Sequence, residues 1–378
     1  TRASATSLHP TGFPTTPFLK EISKKSIVAT QAKAVVPHTS KALVAILCGF
    51  EPFLEMAIVE AAQGLPGRCL PELLKYVGYQ TAFIQTATRK FEDRANLLQK
   101  MQFDHFESAE DFDTTGFAKV NYFGVEDEVM LKPIEKWLDN RSERPFLLSV
   151  LTVGTHHNYQ VSGRHGFEKY SPREEFNRYL NAVHAEDQFV KQVFDILTKK
   201  NVLKDTIVVI VGDHGEGFGE HGRSQHDNTI YEEGIHIPLL IYDGRHPEHF
   251  QMDLGVSQMD ILPTIADLAG YKIFGAKYPG TSIKALKEER MIPSHCWYSR
   301  NCMSANLGGK KFIHHFEKKP DEFFDLTTDP LEKKRLGTDS EEAKRLSVAI
   351  QEWRQRVLAR YQQFYPDCVS ADGKSDKC

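Results

Sequence analysis

Asp205-Thr-Ile-Val-Val-Ile-Val-Gly-Asp-His-Gly-Glu-Gly-Phe-Gly-Glu-His-Gly222 is the stretch that decides the fold. Its first half is a short β-branched apolar run, the pattern of a strand buried on both faces, and it ends in a turn. A carboxylate and an imidazole, Asp213 and His214, follow at the strand's carboxyl end. Leaving such groups unpaired there is costly, and a metal ion satisfies both. Oxygen and nitrogen donors favour Zn²⁺ or Mn²⁺ over Ca²⁺ or Mg²⁺. Glycines at 212, 215, 217 and 219 let the backbone turn sharply beside a ligand. His226 stands thirteen residues after Asp213, and a second apolar run, Ile235-His-Ile-Pro-Leu-Leu-Ile-Tyr242, follows. Two strands flanking a loop rich in His, Asp and Glu describe an active-site edge.

Outward from this centre, strands and helices alternate. A helix is predicted over 65–77, closed by Gly78, and a strand over Gln80–Gln85. Residues 127–138 read as a helix and 146–153 as a strand. Apolar residues from Phe176 to Leu197 recur at helical spacing within 174–200. The fold class is therefore α/β, a largely parallel sheet with helices on both faces. From about residue 278 the pattern changes. Phe312-Ile-His-His-Phe316 and Glu322-Phe-Phe-Asp325 suggest a small antiparallel sheet, and 340–361 a charged amphipathic helix capped by Asp339 or Ser340. The division expected is a catalytic domain over 1–277, a C-terminal subdomain over 278–365 and a mobile polar tail over 366–378.

The 378 residues are 40% hydrophobic and 26% charged, enough for a large core. A net charge of −4 implies no nucleic-acid partner. No run approaches the roughly 18–20 apolar residues of a membrane span. Of six cysteines, Cys296 with Cys302 and Cys368 with Cys378 are spaced for small disulfide loops, while Cys48 reads as a buried free thiol. Two short-range pairs lean towards an oxidising compartment.

Val209-Ile-Val-Gly-Asp-His-Gly-Glu-Gly-Phe-Gly-Glu-His-Gly222 resembles the second metal-ligand motif of the alkaline phosphatase superfamily. The branch is the one of sulfatases, lipoteichoic acid synthases and phosphoethanolamine transferases. Val256-Ser-Gln-Met-Asp-Ile-Leu-Pro-Thr-Ile-Ala-Asp-Leu-Ala-Gly-Tyr271 is similar to the helix that follows in sulfatases, and Phe323-Phe-Asp-Leu-Thr-Thr-Asp-Pro-Leu-Glu332 to their C-terminal signature. Gly124-Val-Glu-Asp-Glu128 and Leu151-Thr-Val-Gly-Thr-His-His-Asn-Tyr159 also fall where this family has counterparts. The resemblance implies a metal-dependent hydrolase or transferase acting on a small-molecule, lipid-linked or glycan-linked phosphate or sulfate ester outside the cytoplasm. It also implies a first strand with an acidic metal ligand upstream of Thr1. A membrane anchor is compatible with that upstream segment.

The polar knot His38-Thr39-Ser40-Lys41 precedes an apolar helical run ending at Gly49. Thr39 or Ser40 could be an ordinary helix cap. A hydroxyl there also sits where the helix dipole favours an anion, and a metal would activate it as a nucleophile. In sulfatases the catalytic residue lies ten positions before such a glycine, which selects Thr39; lipoteichoic acid synthases use a threonine there. Thr39 would thus join Asp213 and His214 on the metal. Lys41 would stabilise the substrate anion or lie in solvent. In the relatives a histidine in the place of His156 binds the phosphate or sulfate, or a second metal. His156 and His226 are accordingly candidate catalytic and substrate-binding residues, with Glu220 and His221 supporting them. Thr-Ser-Lys-Ala-Leu lacks the C/S-x-P-x-R pattern needed to make formylglycine, which argues against a sulfatase in the strict sense. That sulfatase, and a non-catalytic fragment, are the alternatives.

Overall fold

The computed structural model describes residues 1–227, 229–298, 302–316 and 319–367. Two sheets carry the site. In one, His105–Glu107, Gln80–Gln85 and Phe146–Leu151 pair in parallel, with Gln80–Gln85 central. The other has the order Phe250–Met252, Ile27–Ala29, Leu239–Asp243, Ile207–Val211. Its first pair is parallel, and Leu239–Asp243 runs antiparallel to both neighbours. The Asp213 loop thus returns the chain directly beside the strand it left, with Val211 opposite Leu239. The α/β expectation holds, as a mixture of parallel and antiparallel pairing. A slot of about 550 Å³ separates the sheets, lined by Phe146–Leu151 on one side and by Ile207, Val209 and Val211 on the other.

The helix Glu174–Lys199 follows the predicted apolar spacing. Thr39–Cys48 is mostly buried and ends at Gly49, whose φ of 67° is the left-handed cap that glycine takes most readily. The helix predicted over 65–77 is shorter, Leu70–Tyr76. Pro71 starts it, and Pro66-Gly67 holds the preceding residues out.

The C-terminal residues form the antiparallel sheet Ile292–His295, Cys302–Leu307, Lys310–His315, Glu322–Asp325. Against it packs the helix Glu341–Phe364, capped by the Ser340 hydroxyl, which accepts from Ala343 N–H. Val35, Val36, Ala45 and Phe53 share one apolar cluster with Met303, Phe312, Trp353 and Tyr361, so this sheet and helix brace the segment carrying Thr39.

Cys296 and Cys302 are bonded as expected. Cys48 corrects its expectation: it is bonded to Cys69. The chain turns at Gly49, and Cys69 at the head of Leu70–Tyr76 comes back against the end of Thr39–Cys48. Cys368 and Cys378 lie outside the described residues.

Candidate active site

Thr39 is the first residue of its helix, and His38, not Thr39, holds the cap position. Its hydroxyl is free to turn outward and donates to Asp213 Oδ2 at 2.8 Å, with His214 Nε2 at 3.4 Å. Asp213 and His214 follow Ile207–Val211 directly. A side chain at Gly215 would run into the Glu233 carbonyl, so this turn needs glycine.

His214 Nδ1 donates to the Gly215 carbonyl at 2.8 Å. In the neutral ring that bond places the proton on Nδ1 and leaves Nε2 as a lone pair 3.1 Å from Asp213 Oδ2. Two acceptors so close call for a cation between them. Thr39 Oγ1, Asp213 Oδ2 and His214 Nε2 therefore fit a divalent metal as a donor set.

Across a cavity of about 250 Å³ stand His156, His157 and His226, whose ligand nitrogens lie within 4.8 Å of one another. His226 stacks on His214 at 4.0 Å between ring centres. Its Nδ1 donates to the Glu216 carboxylate at 3.2 and 3.3 Å. Burial lowers the pKa of His226, but the Glu216 charge and hydrogen bond raise it to about 8. Burial takes His156 down to about 4 and also lowers His157, so both are neutral donors near pH 7.

Thr39, Asp213, His214, His156 and His226 all line this one cavity. Lys41 does not. It is buried on another side of the helix, donating to the Ala57 carbonyl at 2.6 Å and to Glu60 at 3.5 Å. Glu220 accepts from Arg2 at 2.9 Å, and His221 pairs with Glu233 at 2.8 Å; neither lines the cavity.

Arg94, which the sequence reading missed, brings a guanidinium to the cavity wall. It is 1% exposed, reaches Glu92 at 3.6 Å, and its Nε and Nη1 have no hydrogen-bond partner among the described residues. Burial brings it down to about 10, with Glu92 and Asp213 opposing, so it stays charged at neutral pH. Glu92 and Asp93 both take left-handed backbone conformations, φ 51° and 53°, a strained pair that aims this segment at the cavity. Glu92 binds His38 at 2.6 Å and Ser40 at 2.5 Å. Burial raises its carboxyl, yet those two bonds and Arg94 bring it to about 2. The available signal was position: residues 86–94 follow the carboxyl end of a parallel strand, where ligands of open sheets gather.

The family model described as Sulfatase matches residues 1–271. Phosphoglycerol transferase I of Escherichia coli is 25% identical over 313 residues, covering 79% of this chain and 39% of that protein. The protein of the same name from Salmonella arizonae is 26% identical over 245 residues, covering 62% and 31%. The chain thus spans well under half the length of these relatives. Among solved structures, the lipoteichoic acid synthase LtaP from Listeria monocytogenes superposes with a TM-score of 0.75 at 18% identity, covering 95% of this chain and 89% of that one. The putative sulfatase yidJ from Bacteroides fragilis gives 0.74 at 16% identity, covering 96% and 95%. At these identities the superpositions establish the fold.

Proposed function

The chain belongs to the sulfatase family, and from that premise we propose that it is a divalent-metal-dependent hydrolase or transferase of phosphate esters with Thr39 as nucleophile. One observation carries the reading: the Thr39 hydroxyl, at a helix start, lies 2.8 Å from Asp213 and 3.4 Å from His214. When bound by these three residues, Zn²⁺ or Mn²⁺ would lower the pKa of the hydroxyl and polarise the ester. Thr39 Oγ1 forms a bond to phosphorus, and the alcohol leaves. Arg94 and the N–H groups at the head of Thr39–Cys48 hold the non-bridging oxygens. His226, raised to about 8, binds an oxygen on the opposite wall or passes a proton to the leaving alcohol, and the neutral His156 contacts the ester beside it. Water then releases phosphate from Thr39, or an acceptor alcohol takes it up. The His156, His157, His226 trio also supports a second ion, and metal stoichiometry decides between these roles.

The relatives' name, phosphoglycerol transferase I, favours a phosphoglycerol-type ester over a sulfate ester. Thr39 points the same way, because formylglycine arises from Cys or Ser. Two disulfides support an extracytoplasmic setting. No helix among the described residues is long and apolar enough to cross a membrane. A further strand with an acidic ligand at its end is part of the proposal. The slot between the two sheets supports it, since both facing strands are apolar and have an unpaired edge there among the described residues.

The test combines metal analysis with kinetics on nitrophenyl phosphate and a nitrophenyl phosphodiester, in added Mn²⁺ or Zn²⁺. One ion per chain is expected at the Thr39 site, lost in Asp213→Ala. Thr39→Ala should lower turnover by at least about 10³-fold, while Ser40→Ala keeps most of it. Equal metal content in the wild type and Asp213→Ala would sink the ligand assignment. An active Thr39→Ala would sink the nucleophile.

A further inference from the structure

The Cys296–Cys302 disulfide closes a loop between the strands Ile292–His295 and Cys302–Leu307 of the C-terminal sheet. Cys296 N–H also donates to the Cys302 carbonyl at 2.9 Å. Trp297 comes next and reaches out of its own sheet into the wall of the Thr39 cavity. Its ring stacks on His38, the residue before Thr39, at 3.7 Å and 18°. The N–H groups of Trp297 and Tyr298 donate to the carbonyl of Asp227, the residue after His226, at 2.9 and 3.3 Å. One clasped loop is thus tied to both the nucleophile segment and the histidine segment.

The indole N–H gives this loop a purpose beyond bracing. Trp297 lines the cavity, and its Nε1 is buried with no acceptor among the described residues. A buried N–H without an acceptor is destabilising unless a ligand or solvent supplies one. Trp353, buried behind the C-terminal sheet, shows the contrast: its Nε1 donates to Glu51 at 3.1 Å. Phe91, Tyr122 and Phe123 also line the cavity. Besides the histidines, the described aromatic residues of that lining offer three donors: the Trp297 indole, the Tyr122 hydroxyl, whose residue is 56% exposed, and the Tyr179 hydroxyl, which accepts from the Arg2 N–H at 3.1 Å.

We propose that Trp297 is a substrate-binding residue whose indole N–H donates to an oxygen of the bound ester, and that Cys296 and Cys302 are positioning residues holding it there. The inference rests on the reading of this cavity as an ester site. It makes the C-terminal sheet part of substrate recognition and makes recognition depend on an intact disulfide.

Trp297→Phe keeps a ring against His38 and removes only the donor. With nitrophenyl phosphate it should raise KM about tenfold with kcat within about twofold and the melting temperature unchanged. Cys296→Ser/Cys302→Ser should raise KM similarly. Adding Trp297→Phe to that double variant should raise it little further, because both act on one contact. An unchanged KM in Trp297→Phe overturns the substrate contact; a full additional rise in the triple variant overturns the positioning role. A second measurement needs no turnover. The indole N–H resonance missing from Trp297→Phe, followed by NMR, should move in the intact chain when inorganic phosphate is added with Mn²⁺ replaced by Zn²⁺. A resonance that stays put overturns the inference even where the enzyme is active. A moving resonance with no turnover would instead place the fault in the proposed reaction.

Discussion

Two of the buried clusters of charge among the described residues are built differently. Between the second sheet and the C-terminal sheet, Lys33 pairs with Glu232, and Lys311 bridges Glu232 at 3.1 Å and Glu332 at 2.8 Å. Glu332 also accepts from the Glu232 N–H at 2.7 Å, and His236 bonds the Thr30 carbonyl at 2.8 Å. Each charge there is answered by another, although Glu332 Oε1, in ion-pair range of Lys311, makes no hydrogen bond among the described residues. Around Thr39 the atoms are as buried, yet Arg94 Nε and Nη1, His157 Nδ1 and Trp297 Nε1 have no hydrogen-bond partner among the described residues. Asp213 and His214 also turn acceptors towards each other. A closed network holds elements together. A network with unspent donors and facing acceptors is shaped for something that arrives.

Substitution can break that comparison. Lys311→Met leaves Glu232 and Glu332 facing each other in the interior and should cost about 3–5 kcal/mol in denaturant unfolding. Its kcat/KM on phosphate esters should change less than about twofold at temperatures where it is folded. Arg94→Gln should do the reverse: about 100-fold lower kcat/KM, with stability unchanged or improved, because its charge is buried with little to answer it. If Arg94→Gln destabilises as much as Lys311→Met and binds substrate normally, Arg94 belongs with the structural cluster.

The two lysine-or-arginine assignments also show how far sequence could reach. Thr39, Asp213 and His214 were legible because a helix start and a strand end meet at one sheet edge; His156 lies a few residues beyond the strand Phe146–Leu151, and His226 follows the short strand Ser224–Gln225, yet both reach the same cavity. Lys41 was misjudged although the signal was present. Two residues along a helix is about 200° of rotation, so Lys41 could not share a face with Thr39. Arg94 depends on a left-handed turn at Glu92 and Asp93, which no local propensity announces. The bond between Cys48 and Cys69 spans 21 residues and follows from helix packing that spacing does not reveal. The antiparallel placing of Leu239–Asp243 likewise depends on how the Asp213 loop returns, and an apolar run reads the same in either direction.

Asp127 sharpens the comparison from the structural side. It backs the strand end that precedes His156, accepting from the Val153 and Gly154 N–H groups at 2.9 and 2.8 Å and from Thr86 at 3.1 Å. Burial is the largest influence and, with Glu186 and Glu128 nearby, outweighs the two backbone bonds, lifting its carboxyl from 3.8 to about 7. A carboxyl raised on folding stabilises fully below its unfolded pKa, near 4, and that stability is lost as pH rises through about 7. Unfolding free energies of the wild type and Asp127→Asn, measured from pH 4 to 8, should diverge by up to about 4 kcal/mol at the expense of the wild type. A difference independent of pH would mean that the three donors keep Asp127 ionised throughout.

The smallest expected effect concerns what the unspent groups are for. Arg94, the helix start at Thr39 and the histidine wall together present positive potential and open donors to one small volume. A phosphate monoester brings up to two negative charges to that volume, a phosphodiester or sulfate ester one. Attack by the Thr39 oxygen gathers charge on the equatorial oxygens, where these groups act most strongly. Sulfate gives them less to stabilise, and Thr39 offers no route to formylglycine. Nitrophenyl phosphate or its diester should therefore turn over at least about tenfold faster than nitrophenyl sulfate, a margin of only ~1.4 kcal/mol in barrier. Side-by-side kinetics with Mn²⁺ or Zn²⁺ measure it directly. The preference should shrink in Arg94→Gln, since the lost cation serves the more highly charged ester more. Faster sulfate cleavage in the wild type would turn the reading to a sulfatase in the strict sense. An Arg94→Gln variant that keeps the full phosphate preference would show that the metal site alone sets it.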